Sequence, residues 1–340
     1  MKIFYSETHR KHEPPFEVFD GGLRTPYLEN PDRMDRILKA LGATDWADVI
    51  DPTDFGLDPI YAVHDEDYIH FLASSWTEWL DSKPKDPSTL LPATFALRRH
   101  PQKPASLLGR AGYYMMDLSA CIVNGTYQAA LASANCALSA AQTITSDERA
   151  SFALCRPPGH HAGKDYAGGY CFINNASVAA NWLSSKGKVA LLDMDYHCGN
   201  GTQDIFYERA DVLTISIHAD PNFEYPHFIG FVNERGEGTG LGFHHNFPLP
   251  AGTDDAAYLV ALERALELIR DYGAAYLVVS AGMDIYADDP LGTIKVTTDG
   301  IAEIGKRVAA LELPTVIVME GGYNNDALGR NIVASLGEFK

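Results

Sequence analysis

Asp193, Asp195 and His197 follow one another at intervals of two just where the apolar run Val189 to Leu192 gives out. Carboxylates and an imidazole that converge can hold a divalent metal such as zinc. The run is short and unbroken, as in a strand buried on both faces of a parallel sheet. If the chain stays extended beyond it, residues at i, i+2 and i+4 point to one side. Asp195 and His197 then reach one ion, with Asp193 just behind them. The same acids could instead cap the helix expected from Gly199 to Arg209.

A hydrolytic metal needs three protein ligands and an open position. Asp284, which follows the apolar run YLVVSAGM, completes a set with Asp195 and His197. Two carboxylates leave such an ion nearly neutral, so water there is acidified less than beside three imidazoles, and a neighbouring base is required. The tandem His160 and His161 of RPPGHHAG can supply it, and Asp193 is placed to fix the tautomer of one of them. An exposed turn or a packed pair is the other reading of two adjacent histidines. In Glu320-Gly321-Gly322-Tyr323 a phenol on a glycine turn can donate to a developing oxyanion, or it can simply cover the sheet edge. Tyr170 in GGYCF and Tyr225 in FEYPHF are candidate pocket walls, though either also suits a core.

These residues need a frame that brings them together. Strands are expected at residues 1–6, 151–155, 189–192, 212–218, 275–280 and 315–319. Helices are expected at 33–41, 65–79, 175–185 and 255–271, with a longer alanine-rich one over 113–145 that breaks near Asn124 and Gly125. Residues 8–29 read as a polar loop and 220–242 as a glycine- and aromatic-rich one. From residue 151 onward strand, loop and helix recur, which predicts an α/β fold with a parallel sheet and helices on both faces. Ligands in such sheets bind outside the carboxyl ends of the strands. His160, His161, Asp195, His197, Asp284 and Tyr323 all fall there. No repeat or linker interrupts the chain, so a single domain over 1–340 is expected. It carries one long insertion at about 81–112, with the basic stretch RRHPQK, that reads as a lid or a subunit contact.

A formal charge of −18 argues against non-specific nucleic-acid binding. It suits attraction of small cations, or equally a high-salt environment. Five cysteines without paired spacing point to reduced thiols and a cytoplasmic setting. No signal-peptide core and no run approaching about 18 apolar residues is present, so neither export nor membrane spanning is expected.

The motifs RPPGHHAG, GGYCFINNA, DMDYHCGNGTQDIFYER, GMDIYADDP and MEGGY together are very specific. With them the chain resembles, along its whole length, the zinc-dependent histone deacetylase superfamily, and most closely its bacterial acetylpolyamine amidohydrolases. The resemblance implies the arginase–deacetylase fold and one zinc on Asp195, His197 and Asp284. It implies His161 as general base and acid, with His160 as its electrostatic partner oriented by Asp193. Tyr323 resembles the oxyanion-stabilising tyrosine, and Tyr170 and Tyr225 resemble the aromatic pair beside the substrate tunnel. A potassium ion is implied near Asp193, Ser216 and the backbone of Asp195 and His197. Arginases share the fold but need D-x-D where this chain has Gly282-Met283-Asp284, so one metal and amide hydrolysis are expected.

Two departures from the family pattern stand out. Cys198 replaces a second histidine after His197 and is not expected to be a ligand. The glutamates that receive substrate ammonium groups in the related enzyme align with Leu108 and Ser119. Asp117, Glu17 and Asp20 are possible substitutes, with Phe19 a further candidate substrate contact. The 81–112 insertion resembles the segment that pairs subunits and narrows the entrance, so a homodimer is expected. The reading is zinc-dependent release of acetate from acetylputrescine, acetylcadaverine, acetylspermidine and similar amines. An acetyl-lysine peptide deacetylase, or a non-catalytic binder of acetylated ligands, is the alternative.

Overall fold

Along Val189–Asp193 the side chains alternate between two cores. Val189 and Leu191 enter one, Ala190 and Leu192 the other. Val316 and Val318 against Ile317 and Met319 do the same in Thr315–Met319. This two-sided burial is why both segments read as unbroken apolar runs.

The computed structural model describes residues 1–19, 22–96, 102–146 and 148–340. Ten strands lie among them: β1 (Lys2–Phe4), β2 (Glu17–Phe19), β3 (Leu23–Thr25), β4 (Asp48–Ile50), β5 (Ala150–Ala153), β6 (Val189–Asp193), β7 (Val212–Ala219), β8 (His244–Leu249), β9 (Tyr276–Ala281) and β10 (Thr315–Met319). Eight form one sheet in the order β4-β1-β5-β10-β9-β6-β7-β8. Every neighbouring pair in it is parallel. β2 and β3 form a separate antiparallel pair.

Helices cover both faces. Thr126–Ile144 and Asn175–Ser184 pack on the core that holds Val189 and Leu191. Small residues along both let the helices approach closely. Asp255–Tyr272 covers the other face with Tyr258, Leu262, Leu266 and Ile269. Its N-cap Asp254 accepts from the Ala257 N–H, and Gly273 ends it in the left-handed region at φ 68°.

The structure departs from the sequence expectations at the edges. Residues 8–29 contain a 3₁₀ turn, Glu7–Lys11, and the β2–β3 pair. The 81–112 segment ends in a helix, Leu107–Tyr114, whose cap Ser106 accepts from the Gly109 N–H. The expected long helix begins only at Thr126: Met115 bridges to Ala167 and Ile122 to Leu90, which takes the chain between them out of helical geometry. β4 and β8 went unpredicted. Both are edge strands with exposed or half-buried positions, so neither shows an apolar run. Asp20 and most of RRHPQK lie outside the described residues. No described helix is long and apolar enough to cross a membrane.

Candidate active site

The strands β5, β10, β9, β6 and β7 are consecutive neighbours, and each delivers its polar residues at its carboxyl end. Asp195, His197 and Asp284 meet there, with ligand atoms within 4.8 Å of one another. His197 Nδ1 lies 3.3 Å from Asp195 Oδ1 and 3.2 Å from Asp284 Oδ2.

The convergence has a different cause from the pleat. β6 ends at Asp193, and two successive side-chain turns follow. Asp193 Oδ1 accepts the Asp195 N–H at 3.0 Å, and Asp195 Oδ1 accepts the His197 N–H at 2.8 Å. Each short acid side chain bends the backbone two residues on. Backbone donors then aim the carboxylates: Gly321 N–H to Asp195 Oδ2 at 2.8 Å, and Tyr196 N–H to Asp284 Oδ1 at 3.0 Å.

The donor set fits a divalent cation. Asp284 Oδ2 is buried without a hydrogen bond. Burial and the neighbouring Asp195 push the Asp284 carboxyl up to about 7, the mark of negative charge that nothing fully compensates. Burial opposes a proton on His197, yet the adjacent Asp195 and Asp284 carboxylates carry its pKa up to about 9. A cation bound between the three groups satisfies both acids and takes the imidazole nitrogen as a ligand. A side chain at Gly282 has no room, since a Cβ there would stand 2.2 Å from Asp195 Oδ2. The carboxylate that a second arginase-type metal would need is therefore excluded by space as well as by sequence.

His160 and His161 sit with ring centroids 4.0 Å apart but have different partners. His160 Nδ1 is 3.0 Å from Asp193 Oδ2, and its Nε2 is 3.6 Å from Asp195 Oδ1. Burial works against charge on His160, but Asp195 and Asp193 outweigh it and hold the pKa well above the ordinary imidazole value. His161 Nδ1 faces Asn200 Oδ1 at 2.6 Å. Burial, reinforced by His160 and His197, holds its pKa well below the ordinary value. One imidazole is thus built to carry charge and the other to stay neutral. Glu320 Oε2 steadies the pair by accepting the Gly159 and His160 N–H groups at 2.7 and 3.2 Å.

Tyr323 faces this floor from the turn after β10. Its N–H donates to Asp289 Oδ2 at 2.7 Å, and Gly322 before it takes φ 122°, open to glycine. Fully buried Arg33 grips the turn: its Nε donates to the Gly322 carbonyl and one Nη to the Glu320 carbonyl, both at 2.7 Å. Its guanidinium carbon stands 5.0 Å from the Tyr323 ring centre. Burial raises the Tyr323 phenol well above its ordinary pKa, so the hydroxyl keeps its proton.

A cavity of about 430 Å³ opens over these groups. His161, His197, Tyr170, Tyr225, Tyr323 and Phe19 line it. The Tyr225 ring stands edge-on to His161 at 4.9 Å, and the Tyr170 ring lies 5.7 Å from Tyr323. Asp117 also lines the cavity, but its Oδ2 already accepts from the Gly169 N–H and the Tyr225 hydroxyl, at 2.8 and 2.6 Å. Glu17 is elsewhere. It has no exposed surface, its Oε1 accepts the Leu28 N–H at 2.9 Å, and the cavity lining does not include it. As the structure stands, it offers no carboxylate to a substrate.

Ser216 lies opposite Asp193 in the β6–β7 register, and its Oγ is 2.7 Å from His218 Nδ1. Cys198 is buried, and burial pushes its thiol up, so it is neither a ligand of the Asp195, His197 and Asp284 group nor a reactive thiolate. Ser119 lines the cavity, whereas Leu108 lies on a separate groove beside Trp79. Sequence reading missed Asn200, Arg33, Glu320 and the cavity-lining Glu224. Asn200, within the motif after His197, and Glu224, next to Tyr225, stood beside residues already singled out.

Comparison with known proteins agrees with this geometry. The family model described as histone deacetylase domain matches residues 27–338. Acetylpolyamine amidohydrolase 2 of Pseudomonas aeruginosa is 45% identical over 343 residues, covering 100% of this chain and 99% of the relative. Acetylpolyamine amidohydrolase of Mycoplana ramosa is 41% identical over 335 residues, covering 98% and 97%. The crystal structure of acetylpolyamine aminohydrolase from Burkholderia pseudomallei superposes with a TM-score of 0.95 at 41% identity, covering 100% of this chain and 98% of that one.

Proposed function

This chain belongs to the histone deacetylase domain family, and we propose that it hydrolyses N-acetylated polyamines and small diamines to acetate and free amine. The observation that carries the reading is the meeting of the buried Asp195 and Asp284 with His197, which lines the cavity together with His161 and Tyr323. Relatives named acetylpolyamine amidohydrolase, at 41 to 45% identity over nearly the whole chain, support the substrate class.

Asp195, His197 and Asp284 would hold the zinc ion that the family resemblance implies. When bound, such an ion polarises a carbonyl and lowers the pKa of water. The protein's own groups supply the rest. His161 uses Nδ1 on Asn200, which leaves Nε2 toward the cavity, and its depressed pKa keeps it unprotonated at neutral pH. It takes the proton of the attacking water and returns it to the leaving nitrogen. His160, charged and held by Asp193, stabilises negative charge as it develops. The Tyr323 hydroxyl, protonated and gripped through its turn by Arg33, donates to the oxyanion. Tyr170, Tyr225 and Phe19 enclose the alkyl chain.

Potassium, proposed by the same resemblance, would sit beside Asp193 and Ser216. We further propose a cytoplasmic homodimer joined through the 81–112 segment. Exposed Leu80, Phe95 and Leu108 in and beside that segment support the contact, and five unpaired cysteines support the compartment. The direct test is acetate release from acetylputrescine, lost on chelation and restored by one equivalent of zinc per chain. A zinc-loaded protein that releases no acetate from any acetylated amine refutes the reading.

A further inference from the structure

Among the described residues the cavity has acidic side chains at two lining positions, Asp117 and Glu224, and no lysine or arginine. The two acids are used very differently. Asp117 is saturated: its Oδ1 accepts the Ser119 N–H, the Ser119 hydroxyl and the Ala120 N–H at 2.9, 2.9 and 3.3 Å, while its Oδ2 ties down Gly169 and Tyr225. Glu224 accepts a long bond from Thr293 Oγ1 to Oε1 at 3.5 Å and has the Tyr196 hydroxyl as its other polar neighbour. No lysine or arginine lines the cavity beside it among the described residues.

Its backbone is nevertheless held. The Glu224 N–H donates to the Asp220 carbonyl at 3.1 Å, and the Glu224 carbonyl accepts the His227 N–H at 3.0 Å. The next residue, Tyr225, is locked between Asp117 and the rings of His161 and His197. Consecutive Cα atoms are about 3.8 Å apart, so Glu224 stands on the rim one residue out from the wall that touches the reacting groups. It is half-buried there, where a charge-assisted bond is less screened than on open surface.

We infer that Glu224 receives the free ammonium of the substrate and so selects acetylated amines that carry a second, cationic nitrogen. This rests on the amide-hydrolase reading above and deepens it. It also places a carboxylate at the cavity although the two positions aligned with the relative's glutamates hold Leu108 and Ser119. A cationic chain whose acetyl end reaches His161 and Tyr323 passes Tyr225 and meets the Glu224 carboxylate, which no lining cation neutralises. A neutral chain gains nothing at that point.

The test compares N-acetylputrescine with N-pentylacetamide, its neutral counterpart of equal length, in the zinc-loaded enzyme. The quantity read is the ratio of their kcat/KM values. Glu224→Gln is expected to lower that ratio about 10- to 100-fold, the range for losing one hydrogen bond to a charged group, with Glu224→Asp recovering part of it. Asp117→Asn is expected to depress both substrates together and leave the ratio unchanged, since it loosens the wall. An unchanged ratio in Glu224→Gln overturns the inference, as does a ratio that falls in Asp117→Asn instead. Wild-type enzyme that hydrolyses both compounds equally well also overturns it while leaving deacetylation intact. Activity on neither would remove the amide-hydrolase reading itself.

Discussion

His161 Nδ1 stands 2.6 Å from the side-chain oxygen of Asn200, a neutral partner, while its neighbour His160 has the carboxylate of Asp193. The Asn200 amide group is oriented by its own donors, which reach the Tyr166 hydroxyl at 3.3 Å and the His161 carbonyl at 3.4 Å. A neutral acceptor fixes the tautomer of His161 without drawing a proton onto it.

Asn200→Asp would put a negative charge at that position and favour the imidazolium form of His161. A raised pKa for the group that must be unprotonated moves the acid limb of kcat/KM to higher pH, by about 1 to 3 units. The pH–rate profile of the variant checks this. A limb that stays in place removes His161 from the role of base.

Tyr323→Phe and Arg33→Met separate the hydroxyl from its support. The first deletes one donor and is expected to lower kcat by ~10² to 10³ with unchanged fold and zinc content. The second leaves the Glu320 and Gly322 carbonyls unpaired and removes one partner of buried Glu29, whose Oε1 meets an Arg33 Nη at 2.7 Å. It is expected to cost about 3 to 5 kcal/mol of stability and to slow turnover as well. Equal melting temperatures for the two variants would contradict the structural role given to Arg33.

His64 ties a loop to a helix entrance. Its Nδ1 lies 2.7 Å from the Gly163 carbonyl and its Nε2 accepts the Asn174 N–H at 2.9 Å, a pattern that only the neutral ring satisfies. Burial lowers its pKa from 6.5 to about 4. The unfolded chain therefore takes up this proton first. Stability is fully present above about pH 6.5 and falls as the pH drops toward 4, by up to about 1.4 kcal/mol per unit for this group. Urea denaturation between pH 7.5 and 5 should show the slope, and His64→Gln should flatten it. Identical slopes would contradict the assignment.

Gly282→Ala places a methyl group 2.2 Å from Asp195 Oδ2 and 2.6 Å from Asp195 Cα. Displacing that carboxylate is expected to weaken zinc binding at least about 10-fold. Metal titration followed by fluorescence or calorimetry measures it, and wild-type affinity would show that the site has slack the structure lacks.

The metal-site and catalytic candidates could be read from the sequence because each ends a strand buried on both faces, and such strands are unbroken apolar runs. β8, HHNFPL, could not, since an edge strand need not be apolar along its length. Asp195 and His197 were grouped for the wrong reason: successive side-chain turns bring them together, not the pleat. Glu17 and Glu224 show the remaining limit. Which of two glutamates is sealed and which is open depends on packing between segments far apart in the chain, and nothing local to FEVF or FEYPHF records it.

The most direct test of the account is acetate release by the zinc-loaded protein from acetylputrescine, acetylcadaverine, acetylspermidine and an acetyl-lysine peptide, compared as kcat/KM. The account predicts that the small acetylated amines exceed the peptide. A preference for the peptide would contradict it and make the protein an acetyl-lysine deacetylase.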